Sequence, residues 1–375
     1  GWLLAHLAWC GIHTYTEESA LKNGTIIKIR VSETGIHMIP YDSLEAWGLQ
    51  PNQVCVMGYG GAMLSENFTL SKWDDLPPVA FYMHKGSDNK FNRGDYILFY
   101  AQGSIKWSCS PDGTWRHTRN TYSDYGYYFV SDKVALQHHI KESNTTYATT
   151  NVEDVDWYMA NRVHEKDLVN VLDVTGVNGG GREFYGETFN TKNRSMTVSF
   201  PMQNVRSDHN SYCKINMAAS STEGISMKFS YAGETVNRYF SAIGVQDFYT
   251  CAVVDSVTMY TPATSTGTQD VTFYFGSNAS SAAAYLNYVE ISVPCDLKMV
   301  GNEMHITNTA YKGSKPVIRY HLKGASAKTQ IWHVKDGVNA ELMPTEFVND
   351  ELVWVGSNTS AEQYVAVNPS GASWR

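Results

Sequence analysis

The sequence has 375 residues and a formal net charge of −8, with 18% charged residues. This length suffices for two or three domains, each with its own hydrophobic core. The 29 basic residues are scattered, which excludes the concentrated positive surface that nucleic acids or anionic membranes require. Twenty-four tyrosines, ten tryptophans and many turn residues favour a β-rich chain of the kind found outside the cell.

The first ten residues are apolar but too few to span a bilayer. They are typical of the end of an export signal, and an apolar segment folded onto the body is the alternative. Residues 7–10 resemble a lipoprotein cleavage site only superficially, because Trp9 occupies a position where that chemistry needs a small residue. We therefore assign residues 1–20 to a leader or signal remnant and expect no transmembrane segment elsewhere.

Residues 21–150 predict an N-terminal β domain with one short helix. The segment 25–31 alternates as a strand, with its two later isoleucines and Val31 on one face. Residues 33–35 predict a hairpin turn into the next strand. Residues 40–48 predict a short helix that ends at its glycine.

The clearest strand in the sequence spans residues 94–103, which begin with Gly-Asp and end with Gln-Gly. Its positions are apolar or aromatic on both faces, which predicts a central strand covered on both sides. Residues 79–84 predict its neighbour in the sheet. The two faces consist of Ile97, Phe99 and Ala101 on one side and of Tyr96, Leu98 and Tyr100 on the other.

Three motifs invite a chemical interpretation, and each has a simpler one. The glycine-rich segment 58–61 lacks the Lys-Ser/Thr of a phosphate-binding loop, so we predict a tight turn. Asp74 and Asp75 are adjacent in a proline-bounded loop, where turn hydrogen bonds are commoner than catalysis. His138 and His139 face opposite ways on a strand and make a poor pair of metal ligands.

The six cysteines form no C-x-x-C pair, which excludes a zinc ribbon or a thioredoxin motif by spacing. In a chain of this length we expect most of them to be small buried hydrophobes. The sequence leaves any disulfide pairing open. The cysteines are Cys10, Cys55, Cys109, Cys213, Cys251 and Cys295.

The second half of the chain predicts a different organisation. Residues 151–185 form a connecting segment, in which 154–172 are extended or helical. Residues 186–300 contain regular alternating strands separated by turns, which predicts a jelly-roll-like antiparallel β-sandwich. Residues 301–375 form a short β-rich C-terminal part whose strands could return to pack on the first domain. The predicted fold class is therefore mainly β and multidomain.

Several phrases together resemble the N-terminal region of the gingipain-like cysteine peptidases, most closely the type IX secretion sortase of Bacteroidetes. They follow one another in order over about residues 25–290 and include Trp107. The phrases are residues 28–36, 57–64, 74–76, 94–103, 182–187 and 285–290. The positions that we single out as structural residues of these motifs are Gly58, Gly60, Gly61, Gly94, Asp95, Phe99, Tyr100, Gly103, Arg182, Gly186 and Glu187.

The resemblance implies a protein exported to the periplasm or the outer-membrane surface. In that family a caspase-like peptidase domain follows the β-rich N-terminal domains, and the sortase removes C-terminal signals from exported cargo. The implied partners are that peptidase domain and outer-membrane secretion components. The family's His-Cys dyad finds no match here, because we place Cys251 in mid-strand and Cys295 at a strand end. We therefore assign no catalytic residue, cofactor or metal.

Three hypotheses about function remain. The first is a non-catalytic N-terminal region that supports or docks a protease domain lying C-terminal to it. The second is a free-standing cell-surface β-sandwich that binds glycan or protein through exposed aromatics such as Trp47, Trp73 or Trp107. The third is a self-contained cysteine hydrolase that uses Cys251 or Cys295.

Overall fold

The structure is a computed structural model that describes residues 16–67, 73–133, 137–171, 181–247, 249–264, 267–308, 315–335, 337–371 and 374–375. The apolar segment assigned to a leader, residues 1–10, lies outside the described residues. Among the described residues nearly all of the regular secondary structure is β-strand. The prediction of a mainly β fold is therefore confirmed.

The elements that the structure describes in the first part are one short α-helix, one 3-10 helix and nine strands. Helix α1 spans Tyr41–Ala46 and the 3-10 turn spans Pro51–Gln53. The strands are β1 (Ile27–Val31), β2 (Gly35–Pro40), β3 (Cys55–Met57), β4 (Pro78–Val79), β5 (Phe81–His84), β6 (Tyr96–Ala101), β7 (Ile105–Cys109), β8 (Trp115–Arg119) and β9 (Gly126–Ser131).

The remaining described elements are all strands. They are β10 (Val152–Val155), β11 (Trp157–Glu165), β12 (Thr188–Phe189), β13 (Ser195–Pro201), β14 (Asn210–Ser220), β15 (Ile225–Tyr231), β16 (Glu234–Phe240), β17 (Val253–Pro262), β18 (Thr268–Phe275), β19 (Ala283–Asp296), β20 (Glu303–Thr307), β21 (Val317–Lys323), β22 (Gln330–Val334), β23 (Ala340–Leu342), β24 (Glu346–Val348), β25 (Glu351–Ser357) and β26 (Gln363–Val367).

These strands form six sheets. Two small sheets, β1-β9-β3-β4 and β2-β6-β5, face each other in the first part, and the β7–β8 hairpin stands apart as a two-stranded sheet. A nine-stranded sheet runs β17-β14-β19-β11-β20-β26-β22-β23, with β12 also paired to β19. The last two sheets are β13-β18-β15-β16 and β10-β21-β25-β24. In the last of these, β10 and β21 pair in parallel.

Strand β6 is covered on both faces, as predicted. It lies between β2 and β5, and Phe99 on one face joins a core that includes Tyr128 and Val130 of β9. Leu98 on the opposite face joins a different core that includes Trp332 of β22. Each fully buried apolar side chain of this size stabilises the fold by roughly 1.5–3 kcal/mol.

The sandwich predicted for the second half is also present. In β18, exposed and buried residues alternate strictly, so that Val271, Phe273 and Phe275 face inward. They pack in the same core as Ile215 and Val289 of the nine-stranded sheet. Since an alternating strand buries one face only, two such sheets must cover each other.

Two local predictions are wrong. Residues 33–35 do not form a hairpin, because β1 pairs with β9 whereas β2 pairs with β6. Cys251 is not in mid-strand, because the loop that contains it continues until β17 begins at Val253. For residues 154–172 the sequence left an extended and a helical conformation open, and residues 154–165 adopt the extended one: they contain the end of β10 and all of β11, which pairs with β19.

The strands after residue 301 serve two parts of the molecule. Strands β20, β22 and β26 extend the nine-stranded sheet, and residues such as Val365 also pack on the Leu98 face of β6. This packing places late strands against the first part, while the division of the chain into domains with limits at 20, 150, 185 and 300 remains a proposal. No helix within the described ranges is long and apolar enough to span a membrane.

Candidate functional site

The motif glycines of the first part meet at a crossing of backbones near the end of β6. Gly61 donates its N–H to the carbonyl of Gln102 at 2.9 Å, and a Cβ on Gly61 would lie 2.6 Å from the backbone of Gly126. A Cβ on Gly60 would lie equally close to the Gln102 side chain. These positions need glycine for close approach and left-handed backbone. Gly58 beside the Tyr128 ring and Gly103 beside the backbone of Glu33 complete the crossing.

The other end of β6 is fixed by Asp95, which is 6% exposed. Its carboxylate accepts hydrogen bonds from the backbone N–H of Gly86 at 2.9 Å and of Asn92 at 2.8 Å. Gly94 adopts a φ of +90° in the same turn, a conformation that favours glycine. The next motif residues of this strand, Phe99 and Tyr100, are both buried.

The motif residues of the second half lie at a separate place. The Gly186 N–H donates to the carbonyl of Leu286 at 2.6 Å, which continues the pairing of this segment with β19. The carboxylate of Glu187 accepts a hydrogen bond from His164 Nε2 at 3.0 Å. Arg182 is exposed and forms a surface ion pair. The motif positions of the resemblance thus have structural surroundings and do not converge on one site.

A buried ionic cluster that the sequence did not reveal lies where the β7–β8 hairpin meets the nine-stranded sheet. His117 of β8 has a side chain only 3% exposed. Its Nδ1 lies 2.6 Å from Glu290 of β19, and its Nε2 lies 2.8 Å from Glu165 of β11. The backbone N–H of His117 donates to the same Glu290 oxygen at 3.3 Å. Three strands therefore meet at one imidazole.

The electrostatics of this cluster favour the charged imidazole. Burial alone would lower the pKa of His117, but hydrogen bonds and attraction from Glu165 and Glu290 outweigh it and raise the pKa. Burial likewise opposes ionisation of Glu290, and its bonds to His117 with the nearby Arg116 lower its pKa overall. Arg116 Nη1 lies 3.0 Å from the second Glu290 oxygen. An imidazolium between two carboxylates is the result.

A cleft of about 650 Å³ opens beside the cluster. One wall is strand β8, through Thr118 and Arg119, and the floor includes Tyr288 of β19. Arg119 ion pairs with Asp167 at 3.0 Å and donates to the Glu165 carbonyl at 3.1 Å. The lining is therefore polar, with its charges mostly paired inside the protein. Further lining residues are Glu183, Phe184, Tyr185, Cys251 and Asn287.

The cleft contains both Cys251 and His117, which are the residue types of a cysteine peptidase. A catalytic base must have a free nitrogen lone pair to draw the thiol proton. Both ring nitrogens of His117 are already within 2.8 Å of carboxylate oxygens. His117 in this arrangement is therefore not a general base for Cys251.

Cys295 is equally poorly placed for nucleophilic chemistry. It is 1% exposed, and burial raises its pKa to about 12. The nucleophile is the thiolate, so a thiol with this pKa is inert at neutral pH. Within the described residues, Cys295 is thus too deeply buried for the hydrolase hypothesis, and the histidine in the cleft of Cys251 is already bound on both nitrogens.

Within the part of the chain that the structure describes, no group of three or more His, Cys, Asp or Glu residues could hold a metal ion. Glu165 and Glu290 lie at opposite nitrogens of His117, so their oxygens do not converge on one point. The three tryptophans of the glycan hypothesis, Trp47, Trp73 and Trp107, are all partly buried, and the first two pack on the core of the first part.

No family model and no curated sequence matches this chain. A solved structure matches 95% of this chain with a TM-score of 0.81. That structure is dimeric latent PorU from Porphyromonas gingivalis. The chain is 24% identical to PorU and spans 33% of its length. At this identity the likeness shows a PorU-like fold.

Other matches are partial and weak. A carbohydrate-binding module of type CBM36, solved with calcium and xylotriose, matches 26% of this chain and 71% of its own at a TM-score of 0.18 and 18% identity. A CBM36-1 domain of a xylanase from the hindgut metagenome of Trinervitermes trinervoides matches 35% of this chain and 96% of its own chain, at a TM-score of 0.22 and 11% identity. At TM-scores this low, and unlike the PorU match, these two matches support no conclusion about the fold or the ligands of this chain.

The ionic cluster escaped sequence analysis because its members come from three distant strands. Of these, only Glu290 lies in a phrase that resembles the sortase family. The sequence contained only a local indication. In the strand 115–119, side chains alternate between the two faces, so Trp115, His117 and Arg119 lie on the same face. A histidine on the same face as a large aromatic residue is expected to be buried, but this pattern does not identify the residues that it contacts.

Proposed function

We propose that this chain is the non-catalytic N-terminal region of an exported, sortase-like or gingipain-like cysteine peptidase. In this proposal it supports or docks a caspase-like peptidase domain that lies C-terminal to it and contacts outer-membrane secretion components. The observation that carries the proposal is the PorU-like fold over 95% of this chain, matched to 33% of the longer PorU chain.

Two further observations support the proposal. The sequence phrases that resemble the sortase family lie at backbone crossings and turns that set the fold, such as Gly61 against Gly126 and Asp95 at the start of β6. The two cysteines considered as nucleophiles, Cys251 and Cys295, lack an available base or an accessible thiol. A supporting role requires a rigid body, and the shared cores on both faces of β6 provide one.

Reading the gene downstream of codon 375 tests the proposal directly. We expect an open reading frame that continues into a caspase-like domain with a histidine after a Gly-rich strand end and a cysteine at the tip of a later strand. A stop codon directly after Arg375 would contradict the proposal that the peptidase is part of the same protein.

A biochemical test separates support from catalysis. The purified chain is incubated with a fluorogenic casein substrate, with and without prior thiol alkylation. We expect no hydrolysis from the chain alone, and activity only when the downstream domain is expressed with it. Thiol-dependent hydrolysis by the isolated chain would contradict the assignment of a non-catalytic region.

A further inference from the structure

The β7–β8 hairpin is a separate two-stranded sheet that is attached to the nine-stranded sheet by charged side chains of β8 and by a hydrogen bond from Gln363 of β26 to the backbone carbonyl of Trp107. His117 is its most deeply buried charged contact with the sandwich, bound on both nitrogens to strands β11 and β19. Arg116 adds an ion pair to Glu290, and its guanidinium lies 4.2 Å from the centre of the Tyr212 ring. The Arg119 side chain donates to the backbone carbonyl of Glu165.

The double contact of His117 requires one particular proton. An ionised carboxylate only accepts hydrogen bonds, so two carboxylates at the two ring nitrogens need an N–H on each nitrogen. A neutral imidazole has only one N–H. Loss of the second proton would leave a bare nitrogen facing a carboxylate oxygen, and in a buried site this unpaired contact is costly. Since histidine is more basic than glutamate, the proton belongs to His117.

We propose that the proton on His117 controls the attachment of the β7–β8 hairpin to strands β11 and β19. With the imidazole charged, the hairpin is docked and closes one side of the cleft. With the imidazole neutral, one of the two carboxylate contacts is lost and the hairpin loosens. Because Thr118 and Arg119 of β8 form a wall of the cleft, loosening the hairpin widens it.

The surrounding groups leave His117 as the group that titrates at neutral pH. Burial raises the pKa of Tyr288 to about 12 and also raises that of Tyr212, so both phenols stay neutral. The charged and titratable groups that face the imidazole or its direct partners are Arg116 and Arg119 from β8, Asp124 after β8, Glu165 from β11, Asp167 after β11, Tyr212 and Lys214 from β14, and Tyr288 and Glu290 from β19.

The effect of pH on docking of the hairpin follows from the directions in which folding shifts the pKa values of His117 and Glu290. Because the pKa of His117 is raised, its contribution is complete below the unfolded pKa of about 6.5 and is lost as the pH rises through the folded value. Because the pKa of Glu290 is lowered, its contribution is present above about pH 4.3 and is lost as the pH falls through its folded value. Docking of the hairpin is therefore strongest between about pH 4.3 and 6.5, and it weakens as the pH rises above this range.

Hydrogen–deuterium exchange of peptides covering residues 105–119 tests the proposal between pH 6 and 9. After correction for the intrinsic exchange rate, the opening equilibrium of the wild-type hairpin should rise by up to about tenfold per pH unit between the unfolded pKa of about 6.5 and the raised folded pKa of His117, because one proton is released on opening in that interval, and it should level off above the folded pKa. Imidazole ¹⁵N spectra of the same protein should show two protonated nitrogens on His117 at pH 6.

Glu165→Gln is the informative variant. A glutamine amide can donate to Nε2 of a neutral imidazole while Nδ1 still donates to Glu290, so the attachment no longer needs the extra proton. We expect exchange of the hairpin in this variant to be independent of pH after the same correction. Glu187→Gln is the matched control, because it alters a carboxylate bound to a histidine of the neighbouring position in β11, His164, on one side only. It should keep the wild-type pH dependence.

Either of two results would overturn the proposal. One is corrected exchange of the wild-type hairpin that stays constant from pH 6 to 9. The other is a ¹⁵N spectrum that shows a neutral His117 at pH 6. Both measurements use the wild-type chain, so they decide the question even where Glu165→Gln fails to fold. A pH dependence in a folded Glu165→Gln protein equal to that of wild type would also contradict the role of this proton.

Discussion

Replacing Phe99 by alanine should destabilise the fold by about 3–5 kcal/mol, the range for truncating a fully buried phenylalanine. Phe99 is 0% exposed, and its ring meets that of Tyr128 edge-to-face at a centroid distance of 5.4 Å. Roughly 0.5–1.5 kcal/mol of the loss belongs to this aromatic contact. The Tyr128 hydroxyl accepts the N–H of Gln102, so loosening Tyr128 also weakens the glycine crossing.

Urea unfolding followed by tryptophan fluorescence measures this loss. Leu98→Ala, on the opposite face of the same strand, should cost about 2–5 kcal/mol, because Leu98 is also fully buried. Tyr249→Ala is the surface control, since Tyr249 is 93% exposed, and it should change stability by less than about 0.5 kcal/mol. A loss below about 1 kcal/mol for Phe99→Ala would refute the view of β6 as a strand buried on both faces.

Three further predictions concern other parts of the fold. Gly61→Ala should lower the free energy of unfolding in urea by about 1–3 kcal/mol, because its Cβ would meet the Gly126 backbone at 2.6 Å. Gly244→Ala is the control and should show no such loss, because the space around Gly244 is open. Asp95→Ala should cost about 1–3 kcal/mol in a thermal melt by leaving two backbone N–H groups without acceptors, and Asp95→Asn, which keeps one acceptor oxygen, should cost less. Cys295 should resist a thiol-reactive dye at pH 8 until urea unfolds the chain, since burial raises its pKa to about 12; rapid labelling in the native state would contradict its burial.

The parts of this fold that the sequence predicts are those governed by local patterns. Strand β6 is a continuous run of apolar and aromatic residues bounded by Gly-Asp and Gln-Gly, and helix α1 stops before Gly48, which adopts a φ of +76°. Both follow from the conformational preferences of neighbouring residues. The spacing of apolar residues at 154–172 fits both a helix and a strand, so the sequence left both conformations open, and pairing with β19 decides for the strand at residues 157–165.

The candidate site could not be predicted because no local pattern relates His117 to Glu165 and Glu290. The contact exists because β11 and β19 are neighbours in the nine-stranded sheet and the hairpin lies against them. A single sequence contains no record of that long-range pairing. The same reason explains the error at residues 33–35, where a turn between two different sheets has the composition of a hairpin.

The covering of β6 also sets an order of events in folding. One face of β6 packs on strands that are close to it in the sequence, such as β9. On the other face, Leu98 packs on Trp332 and Val365, which are synthesised much later because they lie near the C-terminal end of the sequence. Contacts between such distant residues form slowly because closing a long loop costs entropy. A nascent chain would therefore expose the Leu98 face until its last strands emerge, and during that interval this sheet needs protection from aggregation.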